Sequence, residues 1–326
     1  MNFYQKPLKT ALVSLMLGGV LLGTGCASMS GLIGKKKEKE VVALAEHSEE
    51  QYYDQAQNAL NKARHNEAIV ALNNIRTFYP TGAYAQQAML DLIYAQYQSG
   101  NYEEVTKNTA EFIRLYPTSP HLDYALYVQG VTNMGGAPKA SRLFKQNQAE
   151  RNTAYLRQAF LDFQSLVSNF PNSIYAADAA QRMIAIYNDL AENELVVARW
   201  YIKRDAMTAA ANRAKWVFQY FPQSTGVPES IAILAYANEK LGLTETANQY
   251  KTLLQINYPQ YLSSNGTVRL DGVGSKTYTQ KALSVISFGK LGRVKQDAGY
   301  QGQYDGATRT QLVRQASGLT LPTLEQ

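Results

Sequence analysis

From about Ser48 onward the chain carries apolar positions at a helical period, in long segments rich in Ala, Leu, Gln and Tyr, and an aromatic residue followed by proline breaks the pattern at intervals. The five breaks are Tyr79-Pro80, Tyr116-Pro117, Phe170-Pro171, Phe221-Pro222 and Tyr258-Pro259, with the prolines 37, 54, 51 and 37 residues apart. Twelve residues before each proline stands a small or slender side chain: Ala68, Val105, Ala159, Ala210, Ala247. Five before it stands a larger apolar one: Ile75, Phe112, Leu166, Val217, Leu254. Columns seven residues apart share one helix face, and the small member leaves room for a neighbouring helix to cross closely. Proline then ends the helix, because the residue before it is pushed out of the helical region.

A helix-turn-helix unit of about 34 residues closed this way has the register of the tetratricopeptide repeat (TPR). The first helices are predicted over Glu49–Ala63, Tyr84–Gln98, His121–Met134, Ile174–Tyr201 and Pro228–Leu241. The fold class that follows is all-α: a right-handed α-solenoid of five TPR helix pairs over residues 48–260, with a Gly-rich C-terminal extension over 261–326. The third unit carries an insert from Gly135 through Arg151, and the fourth has a long first helix. The extension holds nine glycines against seven in residues 45–260, and the aromatic-proline register stops there. Short helices are predicted over Thr279–Val294 and Thr308–Gln315. The extension either caps the last repeat or reaches another component as an arm. Asp271-Gly-Val-Gly-Ser-Lys-Thr277 lacks the glycines of a phosphate loop at Leu270 and Ser275, so nucleotide binding is not expected.

Composition changes the picture at one residue. The 326-residue chain has a single cysteine, Cys26, and three scattered histidines, His47, His65 and His121. An internal disulfide is therefore impossible, no metal or cofactor is expected, and no nucleophile is paired with a base, which argues against an enzyme. Ahead of Cys26, Lys6 and Lys9 precede the apolar stretch Ala11–Gly25, which is too short for a stable membrane span and fits a signal peptide over residues 1–25. Leu22-Gly23-Thr24-Gly25-Cys26 resembles a bacterial lipobox, with Gly23 where the usual leucine stands. The resemblance implies an N-acyl and S-diacylglycerol lipid on Cys26, the mature chain then being membrane-anchored through about 0.8 kcal/mol per buried methylene. Ala27 resembles the signal for transport to the outer membrane. Residues 26–47 read as a lipidated tether, with Lys35, Lys36, Lys37 and Lys39 interrupted by Glu38 and Glu40. Loss of the two leader lysines takes the formal charge from +6 to +4, which is no nucleic-acid footprint.

The 23 tyrosines against 10 phenylalanines point to rings that lie half out of a core. Tyr52, Tyr53, Tyr84, Tyr94 and Tyr97 cluster in the first two units and are expected in part to line an N-terminal groove for extended or helical polypeptide.

The stretch from Tyr79 to Tyr97, with Phe112–Pro120, Gly130–Met134 and Ala159–Ser173, resembles the BamD family of outer-membrane assembly lipoproteins, and the similarity runs from about Cys26 to Tyr258. The resemblance implies a subunit of the β-barrel assembly machine on the periplasmic face of the bacterial outer membrane. Such a subunit docks on the periplasmic domain of BamA, associates with the machine's other lipoproteins and handles unfolded outer-membrane proteins. Ala211-Asn212-Arg213-Ala214 matches the family segment that meets BamA, which assigns Arg213 and Asn212 to that contact. Tyr79 falls where the family contacts substrate, with Tyr84, Tyr94 and Tyr97 as further groove candidates; a helix-stop packing role explains Tyr79 equally well. Another TPR lipoprotein, such as a secretin pilotin, shares the lipobox and repeat register and stays open at this point.

Overall fold

The computed structural model describes residues 45–135, 153–270, 292–294 and 305–323. The expected leader, Cys26, the tether up to residue 44, the insert beyond Gly135, the 271–277 stretch and most of the extension lie outside the described residues. Ten helices follow one another: α1 (Glu49–Asn61), α2 (His65–Phe78), α3 (Ala85–Gln98), α4 (Tyr102–Leu115), α5 (Leu122–Gly135), α6 (Thr153–Asn169), α7 (Ala176–Ile202), α8 (Met207–Tyr220), α9 (Val227–Lys240) and α10 (Thr244–Asn257). Each packs on its neighbour in sequence, as in a solenoid. A 3-10 turn at Pro259–Tyr261 follows, and Gly306–Ser317 forms α11.

The two sequence columns are the seams of this array. Ala68, Val105, Ala159 and Ala210 are 0% exposed and Ala247 1%, while Ile75, Phe112, Leu166, Val217 and Leu254 are all 0%. The aromatic before each proline stops its helix as expected. Tyr79, Tyr116, Phe221 and Tyr258 have φ between −145° and −123° and ψ between 51° and 58°, outside the helical region. Its N–H still reaches back four residues to the buried column, as in Tyr79 N to Ile75 O at 2.7 Å. Its carbonyl then accepts from the residue three further on: Gly82, Ser119, Ser173, Ser224 and Tyr261 in turn.

That third residue starts the next unit. Ser119 Oγ accepts the N–H of His121, and Ser173 Oγ that of Tyr175, both at 3.1 Å, satisfying donors that a helix start leaves open. The same turns are tied to the preceding unit's first helix. Gln86 donates to Ser119 Oγ at 2.6 Å, Ser173 donates to Asp123 Oδ2 at 2.6 Å, and Thr225 N donates to Asn188 Oδ1 at 2.9 Å. In the first unit Glu49 does this work, accepting from Ala83 N at 3.1 Å and Tyr84 N at 2.7 Å. Its carboxylate lies where a Cβ on Gly82 would be, within 2.4 Å, so a side chain there would displace it.

Within the units a second turn recurs. Ala63, Gly100, Asp205 and Gly242 all have positive φ, from 54° to 78°. The following N–H reaches five residues back, to Ala59, Gln96, Tyr201 and Asn238, which is the Schellman closure. The left-handed residue ends α1 at Asn61, short of the expected Ala63.

The start of the extension packs on the last repeat, with Tyr261 and Val268 buried in one cluster with Ile231, Ala232, Ala235 and Leu254, and its later part goes elsewhere. Helix α11 sits on α7 and α6, with Ala316 at 0% and Leu319 at 2% exposure in the central core. The long α7 supplies the extra surface that makes this seat possible. Residues 292–294, at the end of the expected Thr279–Val294 helix, are not helical.

Two substitutions test these packing statements by thermal or denaturant unfolding. A Cβ on Gly130 of α5 would lie 2.5 to 2.8 Å from the fully buried ring of Phe163. Gly130→Ala, which helps most helix interiors, is therefore expected to destabilise by about 1–3 kcal/mol. Ala63→Gly, by relieving a left-handed backbone, is expected to stabilise by about 0.5–1 kcal/mol.

Candidate functional site

Two places in the array gather polar and aromatic groups. The first is built by α1, α3 and α5. On α3, Tyr84, Asp91 and Tyr94 fall on one stripe, at i, i+7 and i+10. Facing it, Tyr53 and Gln57 come from α1, four residues apart. Tyr53 and Tyr84 stack with centroids 4.5 Å apart and planes at 18°. Beside this pair Asp91, 1% exposed, accepts from Gln57 Nε2 at 2.7 Å and lies 3.5 Å from the Tyr53 hydroxyl. Burial, followed by the charge of Asp91, pushes the Tyr53 hydroxyl up to about 12. Tyr124 on α5 is fully buried and its hydroxyl is held well above the ordinary range, by burial first and then by Tyr175, Asp91 and Tyr94.

The tyrosines singled out by sequence separate here. Tyr84 joins the stacked pair. Tyr94 shares the Asp91 stripe and meets His65 edge-on at 5.9 Å. Tyr97 packs on the central core and meets Tyr102 edge-on at 5.5 Å. Tyr79 is half-buried, its ring packing in the first unit, and its hydroxyl donates to His47 O at 2.8 Å, fastening the chain that leads into α1. Tyr52 is core, 3% exposed and stacked on Phe78. Sequence reasoning passed over Asp91. The available signal was one acid inside the apolar-aromatic stretch Met89–Tyr94, placed on the stripe of Tyr84.

The second place is the junction of α7 and α8. Arg213, 47% exposed, donates from Nη1 to Glu194 Oε2 at 2.9 Å. It sits between buried Ala210 and Ala214, on the rim of a cavity of about 220 Å³ shared with Asn193 and Trp216. Asn212 beside it is exposed. A half-exposed ion pair is worth at most about 1 kcal/mol, so the guanidinium can exchange Glu194 for another carboxylate at little cost.

Among the described residues no group of three His, Cys, Asp or Glu side chains is arranged to hold a metal, and no helix is long and apolar enough to cross a membrane.

The family model YfiO, described as outer membrane lipoprotein, matches residues 45–253. An outer membrane protein assembly factor BamD from Pasteurella multocida is 36% identical over 215 residues, 66% of this chain and 83% of that relative. The BamD of Neisseria meningitidis serogroup A is 34% identical over 254 residues, 78% of this chain and 92% of the relative. That of Vibrio cholerae is 35% identical over 72% of this chain and 97% of its own length. Among solved structures, a MamA protein overlaps 64% of this chain and 90% of its own at 18% identity, with a TM-score of 0.32, too loose a superposition to carry an argument.

The raised Tyr53 hydroxyl gives a pH test. Its folded-state value lies above the unfolded one, so its contribution is complete below about pH 10 and is lost as the pH rises towards about 12. Denaturant unfolding across that window is expected to show a flatter loss of stability for Tyr53→Phe than for the wild type.

Proposed function

Because this chain belongs to the YfiO family of outer membrane lipoproteins, we propose that it is an assembly factor for outer membrane proteins, a subunit of the β-barrel assembly machine. The observation that carries this is the extent of the match: relatives named as BamD are aligned over 83% to 97% of their own lengths, at 34% to 36% identity. The chain acts by binding, without chemistry of its own, from the periplasmic face of the outer membrane. Acylated Cys26 holds it there, and residues 27–47 tether the repeats.

Two surfaces divide the work. The junction of α7 and α8 meets the periplasmic domain of BamA through Arg213, with Asn212 beside it. A planar guanidinium is suited to a bidentate contact with an acidic residue there, and its cis partner Glu194 keeps it extended across the rim meanwhile. The aromatic face of α1 and α3, with Tyr84 and Tyr94, receives unfolded outer-membrane protein segments. Half-buried rings that keep a polar tip suit transient capture of an extended chain, because they offer apolar area without demanding one sequence.

Pull-down of the BamA periplasmic domain by the mature chain tests the first surface. Arg213→Glu places a carboxylate beside Glu194 and opposite any acidic partner, and is expected to weaken capture at least about tenfold. Unchanged capture at moderate salt would remove Arg213 from the interface.

A further inference from the structure

The C-terminal extension returns to the first-helix face of the opening repeats, and Gly292 and Arg293 lie on the aromatic site. Gly292 O accepts from the buried Tyr124 hydroxyl at 3.1 Å. Arg293 spans both oxygens of Asp91, with Nη2 at 3.1 Å from each and Nε at 3.3 Å from Oδ1, and Nη2 also donates to Gln57 Oε1. Val294 packs on the central core. The contact joins positions 202 residues apart in the chain, and Arg293 lies beyond residue 253, where the family match ends.

Asp91 is a carboxylate taken almost wholly out of water, and amides and hydroxyls alone do not offset that cost. A cation must stand against it, and the geometry selects which kind. Two nitrogens of one plane, Nε at 3.3 Å from Oδ1 and Nη2 at 3.1 Å from Oδ2, with Gln57 accepting from Nη2 alongside, match the flat fork of a guanidinium, which the single nitrogen of an ammonium cannot reproduce. The stacked Tyr53 and Tyr84 rings are neighbours of the same carboxylate.

We propose that the Tyr53, Gln57, Tyr84 and Asp91 site is a receptor for an arginine side chain in an extended segment, and that Arg293 of this chain is its resting occupant. The first half rests on the reading that this face receives unfolded polypeptide. Helix α11, seated on α6 and α7, holds the strap close by, so the tethered arginine competes at an effective concentration in the millimolar range. An incoming segment binds only as the strap leaves.

The test uses the full-length mature chain in detergent, as wild type, Arg293→Ala, Arg293→Lys and Asp91→Asn, each checked for folding by circular dichroism. Hydrogen exchange followed by mass spectrometry is expected to speed up several-fold at residues 292–294 in Arg293→Ala and Asp91→Asn; unchanged exchange in Arg293→Ala overturns the docked strap. A fluorescent extended peptide carrying one arginine is expected to bind about tenfold tighter to Arg293→Ala than to wild type. The tightening is expected to vanish when citrulline replaces the peptide arginine, and Arg293→Lys is expected to behave like Arg293→Ala. Equal binding of the arginine peptide by wild type and Arg293→Ala overturns the competition alone. Failure of both to bind it overturns the receptor together with the reading of this face as a polypeptide site.

Discussion

A residue that precedes proline cannot stay comfortably in the helical region, and most of this molecule follows from using that one steric fact five times. The helix must stop, yet the last N–H before the stop still bonds to the backbone carbonyl of a fully buried residue, at Ile75, Phe112, Leu166, Val217 and Leu254. The chain is therefore pinned to the core at the instant it turns. Because the pinned carbonyl and the turn recur at one register, successive units enter their packing in one orientation, and the small column can always face a crossing helix.

The turn also carries the cross-links between units. Serine three places after the aromatic both opens the next helix and answers a polar side chain on the preceding one, as Ser119 does with Gln86 and Ser173 with Asp123. The first unit replaces the serine with Gly82 and lets Glu49 fill the gap. Apolar seams hold the helices together while these polar ties set how far each pair slides along the last. Burial alone is non-directional and leaves that degree of freedom soft.

The repeat architecture was legible in the sequence because its cause is local. Period, small column and proline all lie within a few residues of the helix they govern, so boundaries predicted for α3, α5, α7 and α9 agree with the structure to within two residues. The short end of α1 depends on an alanine taking a left-handed backbone, which no alanine announces. The aromatic site was half legible. Tyr84 and Tyr94 stand on the stripe that bears it, whereas Tyr79, equally prominent in sequence, is committed to His47. Asp91 looks like an error in an apolar helix until its partner is known, and that partner lies 202 residues away. Tertiary pairing over such a distance leaves no periodic trace, and the Gly-rich composition of the extension gave no hint of a seat on α6 and α7.

Helix α11 and the strap also change what kind of folding problem the chain poses. An open stack of repeats touches only its neighbours, so it can nucleate anywhere and grow, and its parts can open independently. Here residues near 293 and 316 close over α1, α3, α6 and α7, converting a linear array into a ring of contacts with a long loop between its ends. Loops of this length slow folding, because their closure entropy is spent before any contact rewards it. The opening repeats can form with Tyr53 and Gln57 on Asp91 and wait for almost the whole chain to follow before the arginine arrives, so the part of the protein made first reaches its final state last.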